Sequence, residues 1–249
     1  MCFDPDSSPP VPPISGAAVA HEDLVLEAAD GNRFAAFAAR PEKPGSAGVI
    51  VLPDVRGLYR FYEELALRFA ERALPAVAID YFGRTAGIGK RADDLPYTDH
   101  VTQTTEDGTQ ADVAAAVGHL REQGSTAVFT VGFCFGGRLS WLAAAGGHGL
   151  TGAVGFYGRP GDRDGWVGPI DRAAEIAAPI LALQAGDDPN IPPETNAAFA
   201  DALTAAGVEH EIVTYDGAPH SFFDRKQEQF QADSDDAWAR TLAFIERHA

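Results

Sequence analysis

Short, nearly unbroken apolar runs recur along the chain: Ala47–Leu52, Ala76–Ile79, Ala127–Val131, Gly152–Phe156 and Pro179–Gln184. Runs of this length without alternation predict strands covered on both faces, as in a parallel sheet. Glu211–Tyr215 adds one more strand. Between the runs lie helical stretches. One follows Phe61 to Ala73, apolar at Leu65, Phe69 and Ala73; others cover Gly108–Gln123, Arg138–Ala145, Pro193–Ala206 and Asp233–His248. Nearer the start, Asp23–Ala28 and Phe34–Ala39 flank Asp30-Gly31-Asn32, the pattern of an antiparallel hairpin. A hairpin followed by alternating strands and helices predicts an α/β fold, with a mostly parallel central sheet and helices on both faces.

Three stretches fall outside this rhythm. Residues 1–20, rich in Pro, Ser and Ala, predict a flexible arm, loose or draped over a single domain of residues 21–249. Residues 84–106 lack periodicity and predict a long loop, a feature that compact domains keep mainly for function. Residues 158–168 form a polar, Gly-rich insertion.

Ligand sites in such sheets lie beyond the carboxyl ends of the strands. Four polar clusters sit at strand ends: Asp54 to Arg56, Cys134, Asp187 with Asp188, and His220. Gly132-Phe-Cys-Phe-Gly-Gly137 joins a strand to a helix, the context of a nucleophile elbow with cysteine as the nucleophile. The sharp turn needs small flanking residues, and the helix N-terminus favours a thiolate and an oxyanion. The competing reading of Cys134 is a buried structural thiol. A thiol needs a base, and the base an orienting acid. His220 fits the base and Asp187 or Asp188 the acid, in the order nucleophile, acid, histidine. His21, His119, His148, His210 and His248 are weaker candidates, and His100 in the long loop is a candidate substrate contact.

Composition narrows the partners. The 249 residues hold 36 acidic and 19 basic side chains, a net charge of -17. That balance argues against nucleic acid or an anionic membrane surface as partner. Two cysteines, Cys2 and Cys134, do not form an evident disulfide pair, which points to a reducing, cytoplasmic setting. The N-terminus lacks the basic and apolar regions of a signal peptide, and no apolar run is long enough to span a bilayer. No metal or organic cofactor is expected.

The motifs together resemble the dienelactone hydrolase family. They are Val49–Gly57, Ala76–Arg84, Gly132–Gly137, Gly186–Pro192 and Tyr215–Phe222, spread over nearly all of the chain after the arm. The resemblance implies an α/β-hydrolase fold and a triad of Cys134, His220 and Asp188, with Asp187 the fallback. It further implies oxyanion donation by the backbone N–H groups of Val55 and Phe135. It suggests Asp54 as an acidic residue holding the resting thiol, a role that competes with turn formation. Arg56, Arg84 and Arg225 are candidate binders of a substrate anion, since guanidinium matches a carboxylate bidentately. The family's substrate-binding arginine beyond the histidine is out of register here, with Asp224 in its place. Tyr81, Phe82, Tyr157 and Trp166 are candidates to line an aromatic pocket, with Ser221 and Phe222 beside the base. The activity expected is cysteine-dependent hydrolysis of a small ester or lactone through a thioester, by a monomer or homodimer. An acyltransferase on the same elbow and a catalytically silent binding protein are the rivals.

Overall fold

A computed structural model describes residues 4, 6–91, 95–162 and 165–249. Cys2 and the parts of the arm, the 84–106 loop and the insertion at residues 1–3, 5, 92–94 and 163–164 lie outside the described residues. The strands are β1 (Val19–Glu27), β2 (Arg33–Pro41), β3 (Ala47–Leu52), β4 (Ala76–Ile79), β5 (Ala127–Phe133), β6 (Gly152–Phe156), β7 (Ile180–Asp187) and β8 (His210–Pro219). They form one sheet in the order β1-β2-β4-β3-β5-β6-β7-β8. The β1–β2 and β2–β4 pairs are antiparallel, and every pair from β4 onward is parallel. The helices are α1 (Arg60–Ala70), α2 (Gly83–Ala86), α3 (Tyr97–Gln103), α4 (Glu106–Glu122), α5 (Phe135–Ala145), α6 (Pro193–Ala205) and α7 (Gln231–His248).

The apolar runs explain the core. Every residue of β3, β4, β5 and β6 is buried, as strands with helices on both faces require. One apolar layer gathers α1 and α7 residues such as Phe61, Phe69 and Phe244; the other gathers Val113, Val117, Leu139 and Phe199 from α4, α5 and α6. At about 25 cal/mol per Å² these two layers are the main stabilising contribution.

Two expectations change. The 84–106 stretch carries the short helices α2 and α3, too brief to print a helical period on the sequence. The arm is draped, and it is held down. Ser7, Pro9, Pro10 and Val11 are buried, Ser7 Oγ donates to Asp224 Oδ2 at 2.6 Å, and the Arg225 N–H donates to the Ser8 carbonyl at 3.0 Å. No helix among the described residues is long and apolar enough to cross a membrane.

Candidate active site

The strand register sets the site. Leu52 of β3 pairs with Gly132 of β5, and Phe133 of β5 pairs with Phe156 of β6. The segment from Pro53, Cys134 and Tyr157 therefore leave the sheet side by side. Cys134 is half-buried where the two apolar layers meet, and it opens α5 with φ 55° and ψ -114°. A non-glycine residue at positive φ is strained by roughly 1–2 kcal/mol. The seam around it allows no alternative to glycine: a Cβ on Gly132 would lie 1.9 Å from the Gly136 carbonyl oxygen, and one on Gly136 2.1 Å from that of Leu52. The elbow expected from the sequence is thus built as a real sharp turn at a helix N-terminus.

His220 follows β8, and Asp188 follows β7. Asp188 is buried, and its Oδ2 lies 2.5 Å from His220 Nδ1 while its Oδ1 accepts the Asn190 N–H at 2.9 Å. Burial works to raise the Asp188 pKa, but the bond and charge of His220 together with Asn190 hold it below the ordinary aspartate value. An ionised carboxylate only accepts, so His220 carries its proton on Nδ1 and presents Nε2 as a base. Asp187, by contrast, is exposed. The His220 ring lies 4.9 Å from that of Tyr157, the residue beside Cys134. Tyr157 and Ser221, the latter directly after the histidine, also take positive φ, 37° and 66°.

Among the described residues, no backbone carbonyl accepts the N–H of Val55 or Phe135. The loop that carries Val55 is fixed from several sides. Asp54 Oδ1 accepts the Arg56 N–H at 2.9 Å, the Asp54 N–H donates to Tyr62 Oη at 2.9 Å, and Tyr81 Oη donates to the carbonyls of Pro53 (2.8 Å) and Asp54. Asp54 thus shapes the turn through Oδ1.

Several candidate contacts fall elsewhere. Arg84 is taken by Asp112 and Asp30, each at 2.6 Å. Arg225 donates to the Pro9 carbonyl at 3.2 Å. Phe82 and Phe222 are fully buried core side chains, and Tyr81 is a buttress under the loop. Tyr157 is buried beneath the histidine, and Ser221 is buried with no hydrogen-bond partner for its hydroxyl among the described residues. His100 packs on Phe82, with ring centroids 5.6 Å apart. Arg56 is half-buried, and no carboxylate among the described residues pairs with it. Among the described residues no cluster of His, Cys, Asp and Glu is arranged to hold a metal ion. A cavity of about 340 Å³ lined by His21, Arg40, His119 and Gln123 lies at the opposite end of the sheet, by the start of β4.

Sequence reasoning passed over Arg138. It is 2% exposed, on the first turn of α5, and donates to the carbonyls of Arg159 (3.2 Å), Gly161, Trp166 (3.2 Å) and Val167 (3.1 Å). The available signal was its setting. A helix apolar on every side has no solvated face on which to put a charge.

A mostly parallel sheet with an elbow just after its central strand β5 and an acid–histidine pair just after β7 and β8 defines the α/β-hydrolase class. The profile of the dienelactone hydrolase family matches residues 34–249, and the chain belongs to that family, whose members hydrolyse carboxylic esters or lactones. The "Putative carboxymethylenebutenolidase" of Escherichia coli strain K12 is 29% identical over 228 residues, covering 88% of this chain and 84% of that protein. The "Probable 2-oxo-3-(5-oxofuran-2-ylidene)propanoate lactonase" of Bradyrhizobium sp is 27% identical over 241 residues, covering 91% and 94%. The crystal structure of the "Putative Dienelactone Hydrolase" of Klebsiella pneumoniae superposes with a TM-score of 0.81 at 26% identity, covering 92% and 99% of the two chains.

Proposed function

We propose that the protein is a cysteine-dependent hydrolase of small carboxylic esters or lactones, acting through a thioester of Cys134. The observation that carries this reading is the strained φ of 55° at Cys134, in the turn just after β5 and between the Val55 loop and the His220–Asp188 pair. His220 Nε2 takes the thiol proton, and the thiolate attacks the carbonyl carbon. The carbonyl π pair moves onto oxygen, which the Val55 and Phe135 N–H groups receive. Collapse expels the alkoxide, protonated by His220; from a lactone it stays attached as a hydroxyl. Water deprotonated by His220 then attacks the thioester, releases the acid and restores the thiol. Asp188 keeps the imidazole in the productive tautomer.

Arg56, one residue beyond the oxyanion donor, is the arginine that suits a carboxylate on the substrate, Arg84 and Arg225 being engaged elsewhere. The net charge of -17 disfavours nucleic acid as a partner, and a thiol nucleophile suits the reducing cytoplasm.

Hydrolysis of p-nitrophenyl acetate and of an unsaturated five-membered lactone by wild type, Cys134→Ala and His220→Ala tests the reading. The expected result is loss of activity in both variants, with an acyl adduct on Cys134 caught by mass spectrometry after acid quench. Activity that survives Cys134→Ala overturns it.

A further inference from the structure

The insertion 158–168 is closed at its neck. The Ile170 N–H donates to the Pro160 carbonyl at 3.1 Å, the Gly168 N–H donates to Asp162 Oδ1 at 2.6 Å, and a Cβ on Gly168 would lie 2.5 Å from the Pro160 oxygen. Inside the neck sits the Arg138 guanidinium. Its carbonyl partners among the described residues include both limbs, Arg159 and Gly161 on the way out, Trp166 and Val167 on the way back. A planar fork spans such a set, whereas a single ammonium does not. The limb so held carries Trp166, half-buried, whose ring meets Phe135 edge-on at 5.8 Å. Phe135 is the residue after Cys134, and its ring also meets that of Tyr81 at 5.6 Å.

We infer that Arg138 is a positioning residue for substrate selection: it holds the insertion so that Trp166 walls the acyl side of the Cys134 site. This rests on the reading of Cys134 as nucleophile. The wall is aromatic and rigid, so it favours flat aryl or conjugated acyl groups over a bare acetyl group. Arg138 acts through Trp166.

Two measurements test this independently. The first is acrylamide quenching of intrinsic fluorescence. Trp141 is fully buried and Trp238 is 7% exposed, so Trp166 is the most accessible of the three tryptophans. Arg138→Lys and Arg138→Met are expected to raise the quenching constant severalfold, with no such rise when Trp166→Phe is also present. The second is the ratio of kcat/KM for p-nitrophenyl benzoate to that for p-nitrophenyl acetate. Trp166→Ala and Arg138→Met are each expected to lower it about tenfold, and the double variant no further. A merely structural role lowers the active fraction for both esters alike and leaves the ratio fixed. Should Arg138→Met not fold, Arg138→Lys and Trp166→Ala still decide. Unchanged quenching in a folded Arg138 variant, or a ratio that Trp166→Ala moves and Arg138 variants do not, overturns the inference. Failure of the nucleophile reading shows separately, as ester hydrolysis that persists in Cys134→Ala.

Discussion

Gly136→Ala perturbs the site where the elbow meets the end of β3. The new Cβ would sit 2.1 Å from the Leu52 oxygen and 2.2 Å from the Pro53 oxygen, both backbone atoms at the end of β3. A carbon–oxygen contact settles near 3.3 Å or more, so the elbow and the β3 end must separate by roughly 1 Å. Val55 lies two residues beyond Pro53, and Phe135 adjoins Gly136, so the separation falls on the gap between the two proposed oxyanion donors. A misplacement of about 1 Å costs on the order of 10²-fold in rate, or about 2.7 kcal/mol in the barrier. Overpacking alone costs about 1–3 kcal/mol of stability. The assay is kcat on p-nitrophenyl acetate at a temperature well below the melting midpoint, with a thermal melt of each variant. Gly118→Ala in α4 is the control: nothing lies within 4 Å of its Cβ, so it should keep kcat and gain about 0.5–1 kcal/mol. A Gly136→Ala protein with kcat within twofold of wild type would refute the reasoning, because it would mean the seam does not set the oxyanion geometry.

Three further expectations follow from the same contacts. Asp188→Asn keeps the shape but lets the wrong imidazole tautomer form, so kcat should fall by about 10³–10⁴ with little change in melting temperature. Ser7→Ala leaves the buried Asp224 oxygen without its arm partner; chemical denaturation should register a loss of about 1–3 kcal/mol. Asp112 is driven by burial to a pKa of about 6, against the pull of Asn32 and Arg84. The native state therefore keeps a proton that the unfolded chain loses near its ordinary value of about 3.9, so this group's contribution to stability falls as pH rises from about 4 to about 6 and is flat above. Melting temperature followed across that window should show a smaller decline in Asp112→Asn than in wild type.

The parts legible in the sequence were those fixed by local pattern. Apolar runs gave the buried strands, because a doubly covered strand has no polar position to spare. The glycines around Cys134 gave the elbow, because backbone contacts at 1.9 and 2.1 Å exclude any side chain. Asp188 stood apart from Asp187 through the resemblance and by counting back from Pro192; in the structure only Asp188 faces the histidine, its neighbour pointing out to solvent. Element ends drifted by a few residues: β1 starts at Val19 rather than Asp23, and β8 runs on through Asp216 to Pro219 after a register shift between Ala185 and Asp187 of β7.

What escaped the sequence was charge used at long range. Asp224 looked like a departure at a substrate-binding position, and it is the anchor for Ser7, 217 positions away. Arg84 looked like an anion binder beside a strand end, and it ties Asp30 in the hairpin turn to Asp112 in α4. Arg91 lies in an aperiodic loop, yet it closes a buried pair with Asp80 and holds the carbonyls of Ala86 and Gly87. In each case the sequence names the charge, while the partner is set by which loops the sheet order brings together. An ion removed from water costs several kcal/mol unless its partners are in place, so such residues are fixed by tertiary structure rather than by local propensity. That bears directly on the substrate. With Arg84 and Arg225 engaged in holding the fold together, Arg56 remains the candidate: no carboxylate among the described residues pairs with it, and it adjoins the proposed oxyanion donor Val55. Arg56→Ala should accordingly raise KM at least tenfold for an ester bearing a free carboxylate while leaving KM for a neutral acetate ester within twofold. Equal effects on the two substrates would remove Arg56 from the binding of any anion.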